Sequence, residues 1–521
     1  MKNLKYKILL KQIGDLLIVL GIVELVPSFV SILYGEWYSA AGFLISGITV
    51  MSTGHFFHRK YISMDGPHYN QILIVVASGW FIVTLFGGLP FFIVAYITPE
   101  AIMNEFIPPG ASYDISSLLY FRNPLHCFFE SMSSYTTTGL TMAVHEPSVG
   151  KGILFYRSLA QWVGGAGFIV MVLAIFKQNS GKSALLLYGS ESTGEKLRPR
   201  VIDTARAIWK VYLSLTIFST LFLFIGTHLI LPDYPLEENI FDSINHAMAG
   251  QSTGGFSTLD DSIGTYNSAK MEMLYLLPMI LGSFSIPFFY KIIYKLRIKE
   301  IWDDMQTRSL IIMFITGSIV LSFLLFKADV VPHPVREGIF QFISGMSTTG
   351  WQTSNIGIWD WKSIVFIVAA GMFIGGASGA TVGGIKMIRA IIIYKGITWQ
   401  ITKTFYSENT IRNIKFNGRS LTPEAMYREF TKAASISILF FILIIGSSIV
   451  STFFVSDSFD FADALFESAS AQATVGLSSG ITDPSMSPTL ELIYIFQMWA
   501  GRLEIIPVFA LIRAIFTFRK F

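Results

Sequence analysis

The chain has 521 residues, 52% of them hydrophobic and 14% charged, with a net charge of +3 and a mean hydropathy of +0.55. A soluble globular domain carries about 25% charge, so composition excludes an ordinary soluble fold. The single cysteine, Cys127, excludes an intrachain disulfide, and no Cys-x-x-Cys zinc pattern is present.

In chain order, runs apolar enough to cross a hydrocarbon core of ~30 Å fall near 11–33, 38–57, 71–97, 153–176, 206–231, 271–295, 308–328, 362–385, 430–455 and 489–518. The first follows Lys2, Lys5, Lys7 and Lys11 and has the outline of a signal peptide, but without an A-x-A-like cleavage site it is expected to stay as a helix. Four further apolar runs, near 120–137, 239–252, 336–348 and 461–474, are too short to cross. Runs of that length are candidates for re-entrant segments. The polar stretches 178–205 and 396–429 are too short to bury a core of their own.

Each short run ends in a glycine motif: Tyr135-Thr-Thr-Thr-Gly-Leu-Thr141, Gln251-Ser-Thr-Gly-Gly-Phe-Ser257, Ser347-Thr-Thr-Gly-Trp-Gln-Thr353 and Ala473-Thr-Val-Gly-Leu-Ser-Ser479. Aligned on a hydroxyl residue two places before a glycine, they give Thr137, Thr138 and Gly139; Ser252, Thr253 and Gly254; Thr348, Thr349 and Gly350; Thr474, Val475 and Gly476. One such motif alone would be a helix C-cap. Four, each between a short apolar run and a long one, predict four walls of one pore. Glycine reaches φ > 0 without steric cost, so a strand can turn successive carbonyls toward an axis. In a potassium channel four such loops replace the ion's water shell. The C-terminal end of each short helix adds a partial negative charge that favours a cation. Glu130, Asn245, Gln341 and Glu467 stand nine residues before the four glycines, and are expected to cap or charge-match half-helix N-termini.

Charge supports the re-entrant reading. Arg59 and Lys60, the block from Lys177 to Lys210, the block from Lys291 to Arg308 and the block from Lys386 to Lys432 join Lys2–Lys11 on one side if each short run dips in and returns. Lys and Arg mark that side as cytoplasmic. Asp233, Glu237, Glu238, Asp260, Asp261, Asp457 and Asp460 fall on the other. The predicted fold class is an all-α membrane protein with four pseudo-repeated helix–pore-loop–helix units (63–180, 181–300, 301–400 and 401–521) around one central pore, plus an N-terminal transmembrane hairpin (1–62).

The stretch 375–384 holds five glycines inside an apolar span. Glycine runs disfavour continuous helix, and irregular backbone at membrane depth must line a cavity or be buried in protein. The alternative is close helix packing through small residues. Gly376-Ala-Ser-Gly379 also has the GxSG form of an intramembrane serine protease, but no histidine follows His333 to act as its base. GxxxxGK[ST] is absent. The chain is therefore not expected to be an enzyme.

With the four strands, Arg157-Ser-Leu-Ala-Gln-Trp-Val-Gly-Gly-Ala-Gly167, Gly375-Gly-Ala-Ser-Gly-Ala-Thr-Val-Gly-Gly-Ile-Lys386 and Gly501-Arg-Leu-Glu504, the chain resembles the Trk/Ktr/HKT superfamily of potassium transporters. The extra hairpin makes it most similar to the bacterial TrkH/TrkG branch. The resemblance implies potassium uptake across a bacterial cytoplasmic membrane, with K+ as the transported ion and no organic cofactor. It implies a homodimer in the lipid bilayer and a cytoplasmic nucleotide-binding subunit of the TrkA type, with no nucleic acid partner. It assigns the filter to the twelve strand residues, and a gate to Gly375, Gly376, Ala377, Ser378 and Gly379 with Arg502 near the pore. For Arg502 a structural salt bridge, for instance to Glu467, is the competing expectation. A sodium-coupled or weakly selective monovalent cation channel is the alternative within the class, because the strands are shorter than a full Thr-Val-Gly-Tyr-Gly loop.

Overall fold

The computed structural model describes residues 2–62, 69–167, 200–295, 300–359, 362–406, 414–416 and 419–517. Helix dominates, and among the described residues the paired β-strands are an antiparallel hairpin of Ile414–Phe416 with Arg419–Leu421. The second half of the expected span 153–176 and most of the basic stretch 177–210 lie outside the described residues.

Lys2–Leu33 and Trp37–Lys60 form a tight N-terminal hairpin. Helices in lipid gain little from hydrophobic exclusion and pack through small residues instead. A Cβ on Gly21 would stand 2.6 Å from the carbonyl oxygen of Gly47, and one on Gly54 would stand 2.8 Å from that of Gly14.

The rest is four copies of one unit: outer helix, half-helix, strand, inner helix. The half-helices are Pro124–Tyr135, Leu236–Gln251, Pro334–Met346 and Phe461–Ala473. The outer helices are Tyr69–Gly87 continued by Leu89–Ile97, then Val201–Ile230, Met305–Ala328 and Pro423–Ser451. Local chemistry sets several starts. The Asp304 carboxylate accepts from Thr307 N at 2.8 Å, and Thr422 Oγ1 accepts from Ala425 N at 3.3 Å with Pro423 at the first helical position. On the third outer helix Ile312, Ile315, Ile319, Phe323 and Phe326 are exposed along one face. Water would penalise that stripe; hydrocarbon does not.

The inner helices are Lys151–Gly165, Ala269–Ser283, Lys362–Phe373 and Pro488–Arg502. Each of the first three packs on the half-helix of its own unit and on that of the next, and the fourth packs on the fourth and first half-helices, so the units close on themselves. Two spans expected to be straight are not. Residues 271–295 bend by 99° after Ser283, and 489–518 by 116° after Arg502. At the second bend Glu504 and Ile505 have φ of 58° and 73°, and Ile505 N returns to Ala500 O at 2.8 Å, a helix C-cap that hydropathy cannot reveal. The third inner helix stops at Phe373 and resumes as Met387–Lys403, in line with the expected break.

The hairpin is fastened to the first unit. Glu36 accepts from Lys151 N at 2.5 Å and from Gly152 N at 3.0 Å, capping the first inner helix from another element.

Candidate pore and its loop

Each half-helix ends one or two residues before a threonine in the left-handed region: Thr137, Thr253, Thr348 and Thr474, with φ between 52° and 59°. The next residue donates back into the half-helix, from Thr138 N, Gly254 N, Thr349 N and Val475 N to carbonyls at 2.8–3.0 Å. A glycine with φ between 77° and 93° follows: Gly139, Gly255, Gly350 and Gly476. This corrects the alignment of the second strand by one place. Ser252 is the C-cap of its half-helix, Thr253 takes the position expected for it, Gly254 matches Thr138, and Gly255 rather than Gly254 is the ring glycine of this strand. Two adjacent hydroxyls before two adjacent glycines permit either register. Requiring threonine, rather than any hydroxyl, two places before the glycine would have selected Thr253 and Gly255.

The four strands touch in a ring. A Cβ on Gly139 would stand 2.3 Å from Gly254 O, on Gly255 1.8 Å from Thr349 O, on Gly350 1.9 Å from Val475 O, and on Gly476 2.2 Å from Thr138 O. The cyclic order is thus one to two to three to four and back to one. No L side chain fits at these positions, and the φ values disfavour one independently.

Behind the ring, the expected N-terminal caps take another role. Asn123 caps the first half-helix, accepting from Leu125 N at 3.0 Å, and Asp460 with Asp463 forms a capping box on the fourth. Glu130 instead lies in mid-helix and accepts from Met142 N at 2.8 Å, three residues beyond Gly139. Gln341 accepts from Thr353 N at 3.3 Å and Glu467 from Ser479 N at 2.8 Å, at the same spacing. In the second unit the corrected register puts His246, not Asn245, at this place: its Nε2 faces Thr258 N at 3.4 Å. Asn245 donates to Phe241 O within its own helix. These side chains hold the strand as it leaves the ring, since a buried N–H without a partner is costly.

Arg157, on the first inner helix, is fully buried. Its Nε donates to Glu130 at 2.7 Å and its Nη2 to Thr141 Oγ1 at 2.8 Å. One turn on, Gln161 brackets the second strand, donating to Gly254 O at 2.5 Å and accepting from Phe256 N at 3.1 Å.

The stretch after Phe373 lies directly under the ring. Gly383 N donates to Thr348 Oγ1 at 3.1 Å, and Thr381 Oγ1 lies 3.1 Å from Thr253 Oγ1. A Cβ on Gly383 would stand 2.0 Å from Thr474 Oγ1. Arg502 completes this layer: Nη1 donates to Thr137 Oγ1 at 3.2 Å and to Thr381 O at 2.6 Å, while Nη2 donates to Gly164 O and Gly165 O at 2.5 and 3.0 Å. Three of the four left-handed threonines thus have their hydroxyls bonded from below, and Gly383 packs against the fourth, Thr474. Arg502 reaches carbonyls at the C-terminus of the first inner helix, where a cation is favoured. Glu467, the partner named in the competing salt-bridge reading, is engaged by Ser478, Ser479 and Thr482. Glu504 pairs with Arg389. In the same loop Ala377 N donates to Ser283 O at 2.9 Å, Ser378 N to Gln306 Oε1 at 2.9 Å and Ile286 N to Gly379 O at 3.0 Å, while Gly375 N returns to Ile385 O and Gly376 O accepts from Met387 N.

Above the ring is a cavity of about 690 Å³, lined by Gly139, Gly255, Gly350 and Gly476 at its floor and by Glu146, Asp260, Asp261 and Asp483 on its walls. Tyr113 stacks on His145 at 3.6 Å, and both approach Asp260. Burial pushes Glu146 up to about 8 against the pull of Arg157, and raises Asp260 against that of His145.

A closed ring of four glycine strands, walled by eight helices and roofed by an acidic cavity, is the geometry of a cation path. Compared with known proteins, residues 109–517 match the family model of TrkH, described as cation transport protein. The chain belongs to the TrkH family of cation transport proteins. Members of this family are ion transporters, not enzymes, and the chain is a multi-pass membrane protein. It is 28% identical to an uncharacterised cation transporter of Methanocaldococcus jannaschii, over 98% of this chain and 95% of that one. It is 26% identical to the Trk system potassium uptake protein TrkH of Halomonas elongata, over 97% and 98%. The crystal structure of the potassium transporter TrkH from Vibrio parahaemolyticus superposes with a TM-score of 0.77 at 24% identity, covering 97% of this chain and 98% of that one, and so shares its fold.

Proposed function

We propose that the chain carries potassium into the cell across the cytoplasmic membrane, with the ring of Thr137–Gly139, Thr253–Gly255, Thr348–Gly350 and Thr474–Gly476 as its selectivity filter. The observation that carries this reading is the cyclic contact of four glycines with four neighbouring carbonyls. A cation stripped of water needs oxygen ligands all round, and backbone carbonyls supply them without a counter-charge. Four half-helix C-termini point at the same place, each with roughly half a negative charge. The loop 375–384 and Arg502 form the gate: together they engage the hydroxyls of Thr137, Thr253 and Thr348 and place a guanidinium beneath the ring.

The protein acts as a homodimer with one pore per protomer, regulated by a cytoplasmic nucleotide-binding subunit of the TrkA type. Support for this comes from family membership and from relatives named as parts of the Trk system. Weak selectivity is the second reading, favoured by strands that run from glycine straight into Leu140, Phe256, Trp351 and Leu477 with no second glycine layer.

Rubidium flux into liposomes containing the purified protein, with and without competing sodium, tests the function. Flux that sodium suppresses little supports a potassium filter; equal suppression by sodium and potassium supports the weakly selective reading; no flux overturns both. For the partner, tagged protein taken from its native membrane should bring down a nucleotide-binding subunit. Its absence, with flux indifferent to nucleotides, overturns the regulatory reading.

A further inference from the structure

The four acceptors behind the ring keep one spacing and differ in chemistry. Glu130, His246, Gln341 and Glu467 each face the N–H twelve positions on: Met142, Thr258, Thr353 and Ser479. The carboxylates do so at 2.8 Å, the imidazole and amide at 3.4 and 3.3 Å. Charged acceptors make shorter hydrogen bonds, roughly twice as strong as neutral ones. The anchorage is deepest at Glu467, whose two oxygens also take Ser478 Oγ at 2.9 Å, Ser479 Oγ at 3.1 Å, Thr482 N at 3.2 Å and the Thr482 hydroxyl. At Glu130 it is Arg157 and Thr141 that complete the set. His246 is buried with Nδ1 3.0 Å from Tyr275 Oη, and Asp242 takes the Thr258 hydroxyl at 2.6 Å.

The two carboxylates stand behind the first and fourth strands, which are neighbours in the ring. The first and fourth strands are therefore held at their exit by carboxylates, and the second and third by neutral acceptors at longer range, the second with Gln161 as an additional support. A ring that selects by size does so only as far as its walls resist closing on a smaller ion. The wall here is a strand that the half-helix holds at its start and this acceptor holds at its exit.

We infer that Glu130, His246, Gln341 and Glu467 are positioning residues that set the ion specificity of the ring. The inference rests on the reading of the ring as a potassium filter. None of the four touches the ion; each acts through the strand in front of it.

The test is the rubidium-to-sodium flux ratio of purified protein in liposomes, with size-exclusion and thermal unfolding to establish the fold. His246→Leu and Gln341→Leu remove the acceptor while filling similar space, and should lower the ratio roughly fivefold, the worth of about one buried hydrogen bond. His246→Gln should recover most of what His246→Leu loses, because the amide already serves this place in the third unit. A merely structural role would shift thermal stability and total flux without moving the ratio. Should the leucine variants not fold, Glu467→Gln decides: it keeps the shape but turns an N–H₂ toward donors, and should raise sodium flux relative to rubidium. An unchanged ratio in folded leucine variants, or in folded Glu467→Gln where those fail, overturns the inference while leaving the filter reading intact. A wild-type protein with no rubidium preference overturns the filter reading itself.

Discussion

Arg502 donates from Nη1 to the carbonyl oxygen of Thr381 at 2.6 Å, across 121 positions of sequence. The same nitrogen reaches the Thr137 hydroxyl, so one guanidinium joins the loop below the ring to the ring itself. In the proposed gating, a loop held this way blocks the axis while it stays and clears it when it leaves.

Deleting Ala377 to Thr381 should therefore raise potassium flux and weaken its dependence on any cytoplasmic partner. Selectivity should change less, since the strands are elsewhere in the chain. Tracer uptake by the deletion variant, with size-exclusion as a control for folding, is the check. Folded protein with equal or lower flux would make this stretch packing material.

The corrected register gives a paired prediction. Gly255→Ala puts a Cβ 1.8 Å from Thr349 O on a backbone at φ +77°, whereas Gly254→Ala meets the movable side chain of Gln161. Gly255→Ala should abolish selective flux, as should Gly139→Ser, Gly350→Ser and Gly476→Ser. Gly254→Ala should be the milder of the pair. The reverse order would restore the register expected from the hydroxyl alignment.

Arg157→Met should destabilise the protein by about 3–5 kcal/mol, because it leaves the Glu130 carboxylate buried without its cation. Arg157→Met with Glu130→Gln should recover part of that loss. Thermal unfolding in detergent distinguishes the two; equal destabilisation in single and double variants would show that the pair matters only as packing.

The acidic cavity predicts a pH dependence. Glu146, raised to about 8, is mainly neutral at pH 7 and gains its charge as pH rises through that value. A more negative cavity concentrates cations. The half-saturating rubidium concentration should thus fall between pH 7 and pH 9, and Glu146→Gln should flatten that change. A wild-type profile flat across this range would argue against it.

The repeat was legible because four short apolar runs and four glycines cannot be hidden by hydropathy. The break at 375–384 was legible because five glycines in ten residues do not continue a helix. The bends after Ser283 and Arg502 were not, since in each case the two helices together pass as one apolar run and the turn itself involves backbone hydrogen bonds. The role of Glu130 and Glu467 was missed for a related reason. A polar residue in a short helix reads as a cap, and only the strand folding back twelve positions later gives it another partner. His246 was hidden by the one-place error at Gly254. The spacing rule of nine residues, applied from Gly255, lands on it.

Because the four walls are stretches of one polypeptide, the gene can edit them separately. A pore assembled from identical subunits must repeat any substitution in every wall at once. Here a single codon alters a quarter of the circumference, and the set of carboxylate, imidazole, amide and carboxylate behind the ring is one product of that freedom. Ion preference in such a chain can be adjusted in quarter steps, by substitutions that no symmetric assembly could make one at a time.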